Sequence, residues 1–191
     1  MNKHRLEAFS DGVLAIILTI MVLELKVPHH DASLGALRDR LPVFLSYVLS
    51  FVYVGIYWNN HHHLLQAAEK VNGKVLWANL HLLFWLSLLP FVTGWMGENG
   101  FQALPVFLYN LVLFLAGIAY YLLSRTLVSH HGEASALAQA VGRDTKGQVS
   151  VVAYAAALPL TFWHAGLGLG ISVAVALLWV VPDRRIESQI G

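Results

Sequence analysis

Six stretches of this chain are apolar for long enough to cross a bilayer, and they leave almost nothing over. A span needs about 20 mostly apolar residues to cover roughly 30 Å of hydrocarbon, and the pattern places candidates at about 6–27, 41–66, 74–95, 104–128, 147–164 and 166–182. Inside lipid each backbone amide must find its partner within its own segment, so the expected fold class is all-α, a polytopic bundle of six transmembrane helices. Composition points the same way: 57% apolar residues, 12% charged residues and a mean hydropathy of +0.61 exceed what a water-facing surface carries. No stretch remains for a soluble domain. Residues 1–191 are therefore read as one membrane domain whose bundle must itself perform the function.

Lysine and arginine set the expected orientation, because short cytoplasmic loops retain positive charge. Lys3, Arg5, Lys70, Lys74, Arg125, Arg143, Lys146, Arg184 and Arg185 fall on one side, and only Lys26, Arg38 and Arg40 on the other. That count puts both termini in the cytoplasm and the protein in the cell membrane. A net charge of +1 without a basic run gives no footing for nucleic acid. The chain has no cysteine, which removes disulfides and thiolate metal sites. A cleaved signal peptide is the competing reading of the N-terminus. Glu7 and Asp11 spoil its basic front, and the stretch after Leu23 offers no small-residue cleavage site.

The first span is nearly all greasy, yet it keeps an aspartate. Each helical residue turns 100°, so Ile16, Ile20 and Leu23 form one stripe, flanked within about 60° by Gly12, Val13, Thr19 and Val27. Asp11 lies roughly 140° from that stripe. A carboxylate in the bilayer costs at least about 2.5–3.5 kcal/mol, so Asp11 should face protein, where it is paired or hydrogen-bonded. Candidate partners stand in the second and third spans, in Trp58-Asn-Asn-His-His-His63 and Trp77-Ala-Asn-Leu-His81, with Asn79 and His81 expected deeper than the rest. The plainer reading makes these residues an interfacial aromatic belt. Arg5 and Ser10 would close the network at the membrane boundary.

R-x-x-x-F-S-D, as Arg5, Phe9, Ser10 and Asp11, followed by GVLAIILTIMVLEL and later by WANLHLLFWLSLLPFVTGW, resembles the prokaryotic relatives of the endolysosomal potassium channel over essentially the whole chain. The resemblance implies a potassium-permeable cation channel whose pore is lined by the first span, without the TVGYG filter, which this sequence also lacks. It implies a narrow hydrophobic constriction at Ile16, further pore-facing rings at Ile20 and Leu23, and a contribution of Thr19 to cation selectivity. Arg5, Phe9, Ser10 and Asp11 match the motif that pins the first helix to its neighbours, with Trp77, Asn79 and His81 as the implied partners. Eukaryotic members carry two six-span repeats where this chain has one, which implies a homotetramer around a central axis. Ala15 stands where some eukaryotic repeats carry serine before the constricting isoleucine, which implies weaker discrimination of potassium from sodium. Independently, a solid six-helix bundle needs a ring of copies to leave an axial opening, and a ring of isoleucines can gate such an opening by excluding water.

Other features read more plainly. Three consecutive histidines, His61, His62 and His63, point 100° apart and cannot surround one ion, so no metal or other cofactor is expected. Gly166-Leu-Gly-Leu-Gly170 is a small-residue ridge for close helix contact. Pro90, Pro105 and Pro159 bend or begin their helices, and HHGEASALAQAVGRDTKG has room for a short surface helix. The function classes left are a passive channel, with Glu24 or Asp31 drawing cations to the outer mouth, and a proton-coupled cation transporter with Asp11 and His81 as an intramembrane relay. The transporter lacks a detectable inverted repeat. No HExxH, GxSxG or paired carboxylates on one helix face suggest an enzyme.

Overall fold

The protein is described by a computed structural model covering residues 3–28, 32–132, 134–142 and 144–180. Asp31, Arg143, Arg184 and Arg185 lie outside the described residues, as do the last two positions of the sixth expected span. Among the described residues the fold is wholly helical: α1 Lys3–Leu23, α2 Leu34–Asp39, α3 Leu41–Gln66, α4 Gly73–Ser87, α5 Leu89–Glu98, α6 Ala103–His131, α7 Ala136–Val141, α8 Thr145–Trp163 and α9 Ala165–Val180.

Six long apolar segments result, because α4 and α5 are two halves of one. Leu88 ends α4 and Pro90 stands in the first turn of α5. Proline has no N–H and its ring collides with the carbonyl four residues back, which accounts for the break at Leu88 and for Pro90 in the first turn of the helix that follows. Pro105 likewise sits in the first turn of α6, whereas Pro159 lies inside α8. Counted as one, Gly73–Glu98 joins α1, α3 and α6 as the four helices long and apolar enough to cross a membrane. The remaining two segments, α8 and α9, are shorter, 19 and 16 residues, and fold back on each other through the extended residue His164. Of the two short helices, α7 lies in the expected polar connection and packs Leu137 into the core, and α2 is capped by Ser33, whose Oγ accepts from the Ala36 amide at 3.2 Å.

Helix α6 is the axis of the protomer. It packs on α4 and α5 to one side and on α8 and α9 to the other. Its buried face holds Tyr109, Leu113, Ala116, Ala119, Leu123 and Leu127, a repeat of three and four residues with small side chains where backbones approach. Polar side chains tie the layers: Ser50 of α3 lies 2.6 Å from Thr93 of α5 and 3.1 Å from the Tyr109 hydroxyl of α6. On the far side Tyr53 donates to the Ser172 carbonyl of α9 at 2.6 Å, and Ser172 donates to Asn110 of α6 at 2.7 Å. The glycine ridge serves the α8–α9 contact, since a Cβ on Gly168 would collide with the Thr161 side chain. Helix α1 stands apart from α6 and rests chiefly on α3, α4 and α5. That peripheral position within the protomer decides what α1 can do.

Candidate functional site

The α1 sequence is apolar almost all round, so its burial cannot be read from hydrophobicity alone; the structure closes one face and leaves the other open. Leu6, Ser10, Leu14, Ile17 and Met21 are buried, spaced by three and four residues as one helix face must be. Ile16, Ile20 and Leu23 are 57%, 44% and 74% exposed on the protomer. Gly12 and Thr19 beside them are exposed too. The Thr19 hydroxyl turns back to the Ile16 carbonyl at 2.9 Å, which satisfies its proton locally and leaves its oxygen lone pairs facing outward.

A polar cluster fixes the closed face. Asn79 of α4 donates through Nδ2 to the Ser10 hydroxyl at 2.9 Å, and its Oδ1 lies 2.7 Å from Nε2 of His61 on α3. Ser10 in turn donates to the Leu6 carbonyl at 2.8 Å. All three side chains are buried, so three helices are pinned at one level by bonds that have no water to compete with them. One residue further along α1, Asp11 accepts from Trp58 Nε1 of α3 at 3.1 Å. Asp11 is otherwise exposed on the protomer, not enclosed by protein as the sequence reading expected.

The expected anchoring set divides. Ser10, Asp11 and Asn79 are engaged within the protomer. Arg5 and Phe9 are exposed, and among the described residues Arg5 forms no ion pair with Asp11. Trp77 is 75% exposed. His81 is exposed on the protomer and accepts from its own helix neighbour Trp85 at 2.9 Å. The physical reason is the helix itself. Trp77, Asn79 and His81 alternate by two residues, about 200° per step, so burying Asn79 turns the other two away.

His61 is the histidine that the sequence reading did not single out from the candidate partners in Trp58–His63. The structure separates the three histidines: His61 is buried against Asn79, His62 stacks on Trp58 at 6.0 Å, and His63 meets His62 edge-on at 5.6 Å. A signal was present. Ser46, Ser50, Tyr53, Tyr57 and His61 recur at three- and four-residue spacing and are all buried, so the wheel of α3 carries His61 to the inside. Among the described residues no group of three or more His, Cys, Asp or Glu is placed to hold a metal ion.

Toward the other end, α1 is held by Lys26, which donates to Glu98 at the end of α5 at 3.0 Å. Glu24 lies against Gly94 of α5, a position where a larger residue would press on its carboxylate.

The family described as "Endosomal/lysosomal potassium channel TMEM175" matches residues 5–90, the stretch containing the whole polar cluster and the open stripe. A potassium channel of Chryseobacterium sp. (strain P1-3) is 50% identical over 190 residues, covering 100% of this chain and 98% of the relative. The endosomal/lysosomal proton channel TMEM175 of Gallus gallus is 30% identical over 148 residues, 70% of this chain and 30% of that longer protein. Among solved structures, a lysosomal potassium-selective channel TMEM175 homologue from Chamaesiphon minutus superposes with a TM-score of 0.82 at 24% identity, covering 94% of this chain and 96% of the other, which supports the multi-pass helical fold. With half of its residues shared end to end with such a relative, this multi-pass membrane chain belongs to the TMEM175 family.

Proposed function

We propose that the protein is a potassium-permeable cation channel in which four copies surround an axis, each contributing the open face of α1 to the pore. One observation carries this reading: Ile16, Ile20 and Leu23 are left uncovered by their own protomer while the opposite face of the same helix is buried and pinned by hydrogen bonds. Rotation of α1 to hide the stripe would break the Ser10–Asn79 bond. The stripe therefore needs an occupant from outside, and a ring of identical stripes is a closed solution. The names of the relatives supply the ion.

In such a ring Ile16 forms the constriction. Branched apolar side chains offer no ligand to replace a hydration shell, so the barrier depends on whether the ring is wide enough to stay wet. Thr19, one turn onward, contributes a hydroxyl oxygen able to meet a partly dehydrated cation. Selectivity then comes from this oxygen and the width of the ring, with no carbonyl filter. Arg5, Phe9, Trp77 and His81, exposed on the single protomer, are available for contact with adjacent copies and so complete the anchoring role that their motif implies. Both termini face the cytoplasm on the charge count.

The proton-coupled transporter gains nothing from the geometry. Asp11 is bound to Trp58 and His81 to Trp85, and no hydrogen-bonded chain joins the two among the described residues.

The test uses the protein in potassium-loaded liposomes. Flux is expected to run to the potassium equilibrium potential without an imposed proton gradient, and Ile16→Asn is expected to raise conductance by roughly tenfold or more by wetting the ring. In this cysteine-free chain, Leu23→Cys is expected to react with water-soluble thiol reagents and to block flux once modified. A subunit count of one, or Ile16→Asn flux equal to the parent's with Leu23→Cys inert, overturns the proposal.

A further inference from the structure

At the end of the bundle where α1 begins, two histidines finish α6. Helix α6 has 29 residues, about 43 Å at 1.5 Å per residue, which exceeds the hydrocarbon thickness and leaves its last turn in the aqueous boundary. His130 and His131 occupy that turn.

His131 Nε2 accepts two backbone N–H groups, from Glu69 at 3.1 Å and from Lys70 at 3.2 Å, and its Nδ1 lies 2.9 Å from the Leu127 carbonyl oxygen. A carbonyl only accepts, so Nδ1 carries the proton; two amides only donate, so Nε2 must be bare. This site takes the neutral imidazole in one tautomer. His130 is held in the same sense. Asn72 caps α4 by accepting from the Val75 amide through Oδ1 at 3.0 Å, which leaves its Nδ2 as the donor 3.0 Å from His130 Nδ1. Three donors thus converge on two imidazole lone pairs. The rings stand edge-on, 5.4 Å apart.

The connection that supplies these donors also holds α1. Lys3 Nζ donates to the Ala68 carbonyl at 3.0 Å and the Gln66 carbonyl at 3.4 Å, and pairs with Glu7 at 3.6 Å. The end of α3 and the short connection that follows it give amides to α6 and carbonyls to α1.

We propose that His130 and His131 form an acid-released latch that clamps the α3–α4 connection to the end of α6 and, through Lys3, sets the position of the first turn of α1. Protonation turns Nε2 of His131 and Nδ1 of His130 from acceptors into donors facing donors, and puts two like charges side by side. The clamp is complete while the imidazoles are neutral and is lost when they take up protons. The charged and titratable groups on the surrounding elements are Glu69 and Lys70 on the connection, Lys74 on α4, Lys3, His4 and Glu7 on α1, Arg125 on α6, and Asp144 and Lys146 at the start of α8; α7 has none. Among the described residues no carboxylate lies within ion-pair distance of either ring. Glu133 is outside the described residues and is replaced by glutamine in the test background.

Ala68 lies in the clamped connection and is only 1% exposed, and the absence of native cysteine makes Ala68→Cys a clean reporter in the full-length protein in liposomes. Its rate of maleimide labelling is divided by that of an exposed Ser129→Cys reference, which cancels the dependence of thiol reactivity on pH. The ratio is expected to rise roughly tenfold from about pH 8 to about pH 5.5. His130→Gln with His131→Gln keeps an accepting oxygen that does not titrate, and should hold the ratio low at both values. His131→Phe removes the acceptor and should hold it high at both. A flat ratio in the parent, or a pH response that survives the double glutamine replacement, overturns the latch. Labelling needs no ion flux, so its outcome is separate from that of the channel reading.

Discussion

Leu14 and Ile16 are two residues apart on α1, yet Leu14 is 2% exposed and Ile16 is 57% exposed. The closed face around Leu14 and the open face around Ile16 are almost equally apolar, Ser10 excepted. In water such a helix would be ambiguous; in lipid it is more so, because hydrocarbon is as good a neighbour for leucine as another helix. What separates the faces is polar. Ser10 is the residue of the closed face that reaches an amide on α4, and that amide reaches a histidine on α3. The comparison teaches that a few hydrogen bonds set the rotation of this helix, and that the apolar side chains follow.

The sharpest way to break that comparison is to shorten one residue on each face. Leu14→Ala leaves a void among packed helices and is expected to cost about 2–4 kcal/mol, toward the low end of water-soluble cores because lipid rather than water is the reference. Ile16→Ala is expected to change protomer stability by less than about 0.5 kcal/mol, and to alter conductance instead. Unfolding in mixed detergent checks both. Equal losses from the two would mean that the open face is as closely packed as the other.

Next in size is Asn79→Leu. It strands the Ser10 hydroxyl and the His61 ring in a dry interior, for an expected loss of about 1–3 kcal/mol. Adding Ser10→Ala should return part of that loss, because removing both partners costs less than orphaning one. A double-mutant cycle by the same unfolding assay measures the coupling. Strict additivity would show that Ser10 and Asn79 act separately and that rotation is set elsewhere.

Much of this arrangement was legible in the sequence, and the parts that were not have a common cause. The α3 bounds were readable to the residue, because a proline opens it and a polar run follows it. The wheel alone grouped Ile16, Ile20 and Leu23 and set Asp11 apart. The third span was read as continuous although Pro90 splits it, and α2 was missed in a stretch too short and mixed to show a period. The anchoring set divides along the wheel of α4: Asn79 faces into the protomer, and Trp77 and His81 face out of it. Intramolecular facing could be derived from periodicity. Contacts between copies leave no such trace in one sequence.

A smaller effect is expected at the edge of the polar cluster. Asp11→Asn keeps an oxygen for the Trp58 N–H, so it should lose only the charge-assisted part of an exposed bond, under about 1 kcal/mol. Asp11→Ala removes the acceptor altogether and should reduce assembled protein more than it changes ion selectivity. Size-exclusion profiles alongside reversal potentials separate the two. Normal assembly with altered selectivity would assign the carboxylate to the ion path and not to the anchor.

The smallest effect belongs to the other end of α1. Lys26 and Glu98 meet at 3.0 Å, but their side chains are 59% and 43% exposed, so water and salt screen the attraction and the entropy of two long side chains opposes it. Exposed pairs of this kind contribute about 0–1 kcal/mol. Lys26→Ala is therefore expected to cost no more than about 0.5 kcal/mol at low ionic strength and nothing measurable at about 0.5 M salt, where the screening length shrinks below 10 Å. The Ser10–Asn79–His61 bonds, buried from solvent, should keep their full effect across the same salt series. If Lys26→Ala instead matched Asn79→Leu in cost, α1 would be held from its exposed end by charge, its rotation would be free to vary along its length, and the fixed orientation of Ile16 would lose its physical basis.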